Sequence, residues 1–165
     1  MVSRRTKLAV YTSIIRPIAT YACETWSLTK EQERMLLVFE RKILRSIYGR
    51  VWDDEAQEWR IRHNIELLEL SNLPPISSYI RAQRLRWAGQ VARLDDGNLT
   101  KEVARGRPHG RRPPGRPRQR WEDNIKSDLR LLGVADPEQC WTAALDRRRW
   151  RELFSAVKSH MGLPL

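Results

Sequence analysis

Between Gly97 and Pro117 the chain carries four glycines and four prolines, and after Val103 and Ala104 it has almost no apolar side chain. Such a stretch cannot supply a hydrophobic core, so it reads as a linker, and whatever folds must be built from the sequence on either side. The composition therefore divides the chain into residues 1–96, a linker over 97–117, and residues 118–165.

Both flanks show helical periodicity. Leu8, Tyr11, Ile14, Ile15 and Ile18 recur at helical spacing, with Pro17 expected to kink or divide that helix because it lacks an amide hydrogen. Thr29 and Gln32 resemble a capping box, and Leu36, Phe39, Ile43 and Ile47 form a stripe that ends at Gly49. Residues 54–70 read as a less regular helix ended by Pro74 and Pro75. Ile76, Ile80, Trp87, Val91 and Leu94 mark a long helix, with Leu85, Ala88 and Ala92 on its opposite face. Beyond the linker, Trp121, Ile125, Leu129 and Leu132 stripe a helix that stops at Gly133. Asp136 and Pro137 start a short one containing Cys140, Trp141, Ala144 and Leu145, and Asp146 caps a last one striped by Trp150, Leu153, Phe154, Val157 and Met161. No segment alternates like a hairpin. The expected fold class is all-α: two small helical units joined by a basic Gly/Pro/Arg-rich linker.

The formal net charge is +11 over 165 residues, which points to a polyanionic partner. Arginine dominates the excess, and its planar fork suits phosphates and base edges, so nucleic acid is favoured over an anionic membrane surface. Between Glu102 and Glu122 there is no acid, while Arg105, Arg107, Arg111, Arg112, Arg116, Arg118 and Arg120 supply seven positive charges. Arg105-Gly106-Arg107-Pro108 and Pro114-Gly115-Arg116-Pro117-Arg118 resemble the Gly-Arg-Pro core of AT-hook segments, which lie in the minor groove of A·T-rich DNA. Arg118 and Arg120 stand at a helix start, where the macrodipole disfavours cations unless an anion binds there. A solvated linker that resists aggregation is the competing reading of the run.

Arg-x-Arg-Trp occurs three times, at 84–87, 118–121 and 147–150. The three tryptophans each join an apolar stripe, so they are expected to anchor the core, leaving the arginines as a basic helix edge; Arg84 and Arg86 join the nucleic-acid-binding candidates on that ground. Asp146 offsets part of the charge of Arg147 and Arg149.

Catalytic signals are lacking. His63, His109 and His160 are scattered, Asp53-Asp54 and Asp95-Asp96 fit caps and turns, and no nucleophile elbow or phosphate-binding Gly-Lys-Ser/Thr is present. Cys23 and Cys140 have no metal-site spacing, so neither metal, other cofactor nor disulfide is expected. With no membrane span or secretion signal, the expected location is intracellular, nuclear or cytoplasmic.

Four segments in order carry a family resemblance: Ile15-Arg16-Pro17-Ile18-Ala19-Thr20-Tyr21-Ala22-Cys23-Glu24-Thr25-Trp26; Arg84-Leu85-Arg86-Trp87-Ala88-Gly89-Gln90-Val91-Ala92-Arg93; Gly115-Arg116-Pro117-Arg118-Gln119-Arg120-Trp121; and Asp146-Arg147-Arg148-Arg149-Trp150-Arg151. Together they resemble the thumb and C-terminal region of RTE-like non-LTR retrotransposon endonuclease-reverse transcriptases. Gln90 stands where that family commonly has histidine. The resemblance implies a thumb-like first unit and a nucleic-acid-handling tail, RNA- or DNA-binding, that would pack beside a polymerase palm in the parent protein. The family's aromatic-x-Asp-Asp motif follows none of Tyr11, Tyr21, Tyr48 or Tyr79, and its endonuclease is absent too. The expectation is thus a truncated chain with no catalytic centre. The alternative is a structural or protein-interaction remnant whose apolar faces, foremost within 7–48, once met the palm.

Overall fold

The computed structural model describes residues 2–106, 115, 120–134 and 140–159, without the side chains of 154, 158 and 159. The elements run α1 (Arg4–Val10), a π-helical turn (Tyr11–Ile15), α2 (Arg16–Ala19), a 3-10 turn (Cys23–Thr25), α3 (Lys30–Tyr48), β1 (Val51–Asp53), β2 (Glu58–Arg60), α4 (Asn64–Ser71), α5 (Ile76–Ala92), α6 (Leu99–Arg105), α7 (Trp121–Leu131), α8 (Cys140–Ala143) and α9 (Arg147–Ser159). The chain is mostly helical, and the described residues form one two-stranded sheet. No helix among them is long and apolar enough to cross a membrane. They cluster into two compact units, one drawn from Met1–Tyr21 and Lys30–Tyr79, the other from Ala22–Thr29 and Ile80–Ser159. This division falls after Tyr79, whereas composition places it at 97–117.

In the first unit Pro17 neither breaks nor sharply ends the helix. The chain instead widens into the π turn, in which the Arg16 amide donates to the Tyr11 carbonyl. That extra residue rotates everything after it relative to an unbroken α-helix. Tyr11 and Arg16 consequently point inward, while Ile14, Ile15 and Ile18 from the expected stripe face solvent.

A similar rotation affects α3, whose buried residues are Glu40, Leu44, Ile47 and Tyr48. Periodicity misplaced this face because its centre is a carboxylate. Glu40 Oε1 accepts from the Tyr11 hydroxyl at 2.7 Å, and Oε2 from the Ile76 amide at 2.8 Å, so both oxygens are satisfied without water. Burial first, and then the charge of Glu40, pushes the Tyr11 phenol far above its ordinary value. Arg16, also buried, donates to the Pro74 carbonyl at 2.7 Å and lies over the Tyr79 ring at 4.8 Å. Leu44, Ile47, Tyr48 and Leu67 complete this core.

The strictly all-α expectation fails at one place. Residues 51–60 form a hairpin, with Trp52 facing Trp59 across the strands and their rings edge to face at 5.6 Å. Its turn contains no glycine: Gln57 takes the left-handed conformation and Asp53 Oδ1 accepts from the amides of Glu55 and Ala56. Each strand is only three residues long, too short to show alternation. The helix expected over 54–70 is confined to α4, where His63 donates its amide to Glu66. Asn72, left-handed at φ 51°, follows the helix.

The second unit gathers Ala82, Leu85, Ala88 and Ala92 of α5 with Ile125 and Leu129 of α7, then Cys140, Ala144, Trp150 and Val157. The α7 stripe and its stop at Gly133, φ +71°, match the sequence pattern. Residues 99–105 of the expected linker are instead α6, where the Asn98 side chain accepts from the Thr100 amide at 3.0 Å. Lys101 fastens this helix to the Leu94 carbonyl and to Asp96, each at 2.8 Å. The helix start expected at Asp136 and Pro137 lies outside the described residues, as does Met161.

Candidate nucleic-acid interface

Of the expected phosphate-contacting arginines, Arg107, Arg111, Arg112, Arg116 and Arg118 lie outside the described residues. Arg105 is exposed on the last turn of α6 rather than in an extended strand, with its guanidinium 5.7 Å from the Trp141 ring centre. Arg120 precedes α7, and its half-buried position is less awkward than the arginines alone suggest. Glu122 and Asp123 occupy the first turn, and Asp123 accepts the Arg120 amide at 2.7 Å. Acids therefore already serve this dipole, and no bound anion is needed to make the helix end favourable.

Arg84 must be reassigned. It is 1% exposed, pairs with Asp128 at 2.9 Å and donates to the Trp26 carbonyl at 3.3 Å. Arg81 approaches the other Asp128 oxygen at 3.5 Å. A buried charge held this way binds the fold together and has no face left for a phosphate. Two residues on, Arg86 is exposed and remains available.

The tryptophans behave as anchors to differing degrees. Trp150 is buried and its indole nitrogen donates to the Leu85 carbonyl at 2.6 Å, while Trp121 donates to the Glu24 carbonyl at 2.6 Å beside Trp141. Trp87 is half-buried. Residues Glu24 and Trp26, Arg84 and Leu85, Trp121, and Trp150 come from the four resembling segments, and these hydrogen bonds knit them into one unit.

The same packing builds a feature that sequence spacing within single helices could not reveal. A cleft of about 580 Å³ opens between α5 and α9. Gln83, Arg86 and Gln90 approach it from α5, Arg93 from the turn just past that helix, Arg147 and Arg151 from α9, and no carboxylate of a described residue lines it. On α5 the polar residues follow at intervals of three and four, and on α9 the arginines are four apart, so each helix presents one row. Trp150 closes the space between the rows. Arg93 donates to the Ala144 carbonyl at 2.6 Å, and its guanidinium is held below its ordinary value, first by burial and then by the charge on Arg147. Asp146 is occupied elsewhere, accepting from the amides of Arg148 and Arg149 at 2.9 and 3.1 Å.

Both cysteines are buried free thiols, and burial pushes Cys23 up to about 11. The described residues hold no group of His, Cys, Asp and Glu that could bind a metal ion. Asp53 and Asp96 pair with Arg60 and Lys101.

No family model matches the chain, and no solved structure does. A transposon-derived protein of Caenorhabditis elegans is 26% identical over 151 residues, covering 89% of this chain. The chain spans 53% of that relative's length, about half, and is thus similar to part of a transposon-derived protein.

Proposed function

We propose that the chain is the nucleic-acid-handling, post-palm region of a non-LTR retrotransposon reverse transcriptase, without a polymerase centre among its own residues. The observation that carries this reading is the run of seven arginines with no acid between Glu102 and Glu122, bracketed by α6 and α7. In a folded chain so many like charges repel one another and gain nothing from packing, whereas a phosphate backbone offsets them through counterion release. The transposon-derived relative favours the same direction. In the parent enzyme this region would hold template RNA or target DNA while the palm carries out synthesis.

The direct test replaces Arg116, Arg118 and Arg120 together with glutamine. Phosphate anchoring by these residues predicts weaker binding to all sequences and a salt slope reduced by about 2 to 3. Loss confined to A·T-rich duplex would indicate groove reading instead, and unchanged affinity with unchanged slope would remove the run from the binding role.

A second reading, a protein-interaction remnant, is favoured by a different observation. The first unit exposes Ile14 at 52%, Ile18 at 73%, Tyr21 at 81% and Met35 at 61%. Large apolar side chains left exposed at Ile14, Ile18, Tyr21 and Met35 suit a surface covered by another protein body, such as the palm. Self-association of the purified chain, abolished by Ile18→Ser with Tyr21→Ser while nucleic-acid binding stays absent, would put this reading first.

A further inference from the structure

We propose that the cleft between α5 and α9 is a binding site for consecutive phosphates of a nucleic-acid strand, with Arg86, Arg147 and Arg151 as the phosphate-contacting residues. This rests on the nucleic-acid-binding reading and places a contact surface away from the 105–120 run. Several features make the cleft more than a solvated charged edge. Arg86 of α5, Arg93 just past its end, and Arg147 and Arg151 of α9 line one concavity with positive charge, whereas random surface charge alternates in sign. The pair Arg93 and Arg147 is unfavourable in the free protein, since burial and mutual repulsion both act against the charged form of Arg93. No ion pair involves Arg86, Arg147 or Arg151 among the described residues, so their forks are free for an incoming anion.

The chemistry selects phosphate. Guanidinium groups grip two oxygens at once, and a row with helical spacing on either side suits repeated tetrahedral anions better than a single planar carboxylate. Gln83 and Gln90 add neutral donors and acceptors that can meet sugar or base edges without adding charge. Arg93, tied to the Ala144 carbonyl, acts as a positioning residue that fixes the cleft wall.

A single phosphate anion and a nucleic-acid backbone present the same chemistry, so the test separates them. Arg147→Gln with Arg151→Gln is compared with Arg148→Gln with Arg149→Gln, an equal loss of charge from the same exposed stretch of α9 but outside the cleft. Matching thermal melts establish that both fold. Titrating the full chain with labelled oligouridylate and its deoxy counterpart, we expect the cleft pair to reduce the slope of log affinity against log salt by about 1.4, at roughly 0.7 per contact, and the control pair to reduce it clearly less. Equal effects of the two pairs, or no effect of the cleft pair on a wild type that binds, would overturn the site and leave the proposed function standing. Absence of binding by the wild type would overturn both. In the second arm, arginine modification by phenylglyoxal is mapped by mass spectrometry. Oligonucleotide should protect Arg86, Arg147 and Arg151, and protection by an equal concentration of inorganic pyrophosphate would overturn the backbone assignment in favour of a free-anion site.

Discussion

Gly89 of α5 lies against the indole of Trp150, so close that a β-carbon at position 89 would overlap the five-membered ring. The indole nitrogen, one turn back along α5, donates to the Leu85 carbonyl. The contact and the hydrogen bond together set how closely α9 approaches α5, and hence the width of the cleft.

Gly89→Ala should therefore destabilise the chain by about 1 to 3 kcal/mol, the usual range for overpacking. The better helix propensity of alanine recovers at most about 1 kcal/mol of this. Urea unfolding followed by tryptophan fluorescence measures it, and an unchanged or raised midpoint would show that Trp150 can retreat freely.

Arg84 and Arg86 should respond in opposite ways. Arg84→Gln removes the main partner of buried Asp128 and should cost about 3 kcal/mol of stability. Arg86→Gln, on an exposed position, should stay within about 0.5 kcal/mol. Comparable melting temperatures for the two variants would contradict the core role of Arg84.

The first unit should weaken in acid through Glu66. Its hydrogen bonds from Arg60, and then from the His63 amide, hold it at about 2 instead of the ordinary 4.5. Because the folded value is the lower one, this stabilisation is complete above about 4.5 and is lost as pH falls toward about 2. Asp53, held low first by the Ala56 amide, acts in the same direction. Thermal melts at stepped pH should show Glu66→Gln flattening the profile in that window; an equally steep profile would place the acid sensitivity elsewhere.

Those residues also mark what the sequence can and cannot disclose. The stripe Trp121, Ile125, Leu129 was legible because these apolar residues recur at helical spacing before a plain stop at Gly133, although the buried Asn124 and Asp128 beside them were not. The inward face of α3 was not, since Glu40 occupies its centre and only the distant Tyr11 hydroxyl and Ile76 amide explain it. The π turn before Pro17 shifts the phase of a periodic pattern without altering any residue in it. Trp52 and Trp59 pair through strands too short to alternate. Of the arginines, Arg84 and Arg86 share one motif but differ completely in burial, and Arg93, Arg147 and Arg151 converge through tertiary packing that includes the Gly89 and Trp150 contact and the Arg93 bond to Ala144. Tertiary packing alone brings that cleft together.

The purified chain should not extend a primer on an RNA template with magnesium or manganese, because no tyrosine is followed by the aromatic-x-Asp-Asp pattern. Extension above a control preparation carrying Arg84→Gln and Asp128→Asn, purified identically, would refute this.

Salt-dependent binding of the wild-type chain tests the central claim most directly. Titrations against duplex DNA, single-stranded DNA and structured RNA over a range of salt should give a straight line of log affinity against log salt. Its slope should correspond to several phosphate contacts, at about 0.7 to 0.9 each. No measurable binding to any of the three at low salt, or an affinity indifferent to salt, would contradict the account.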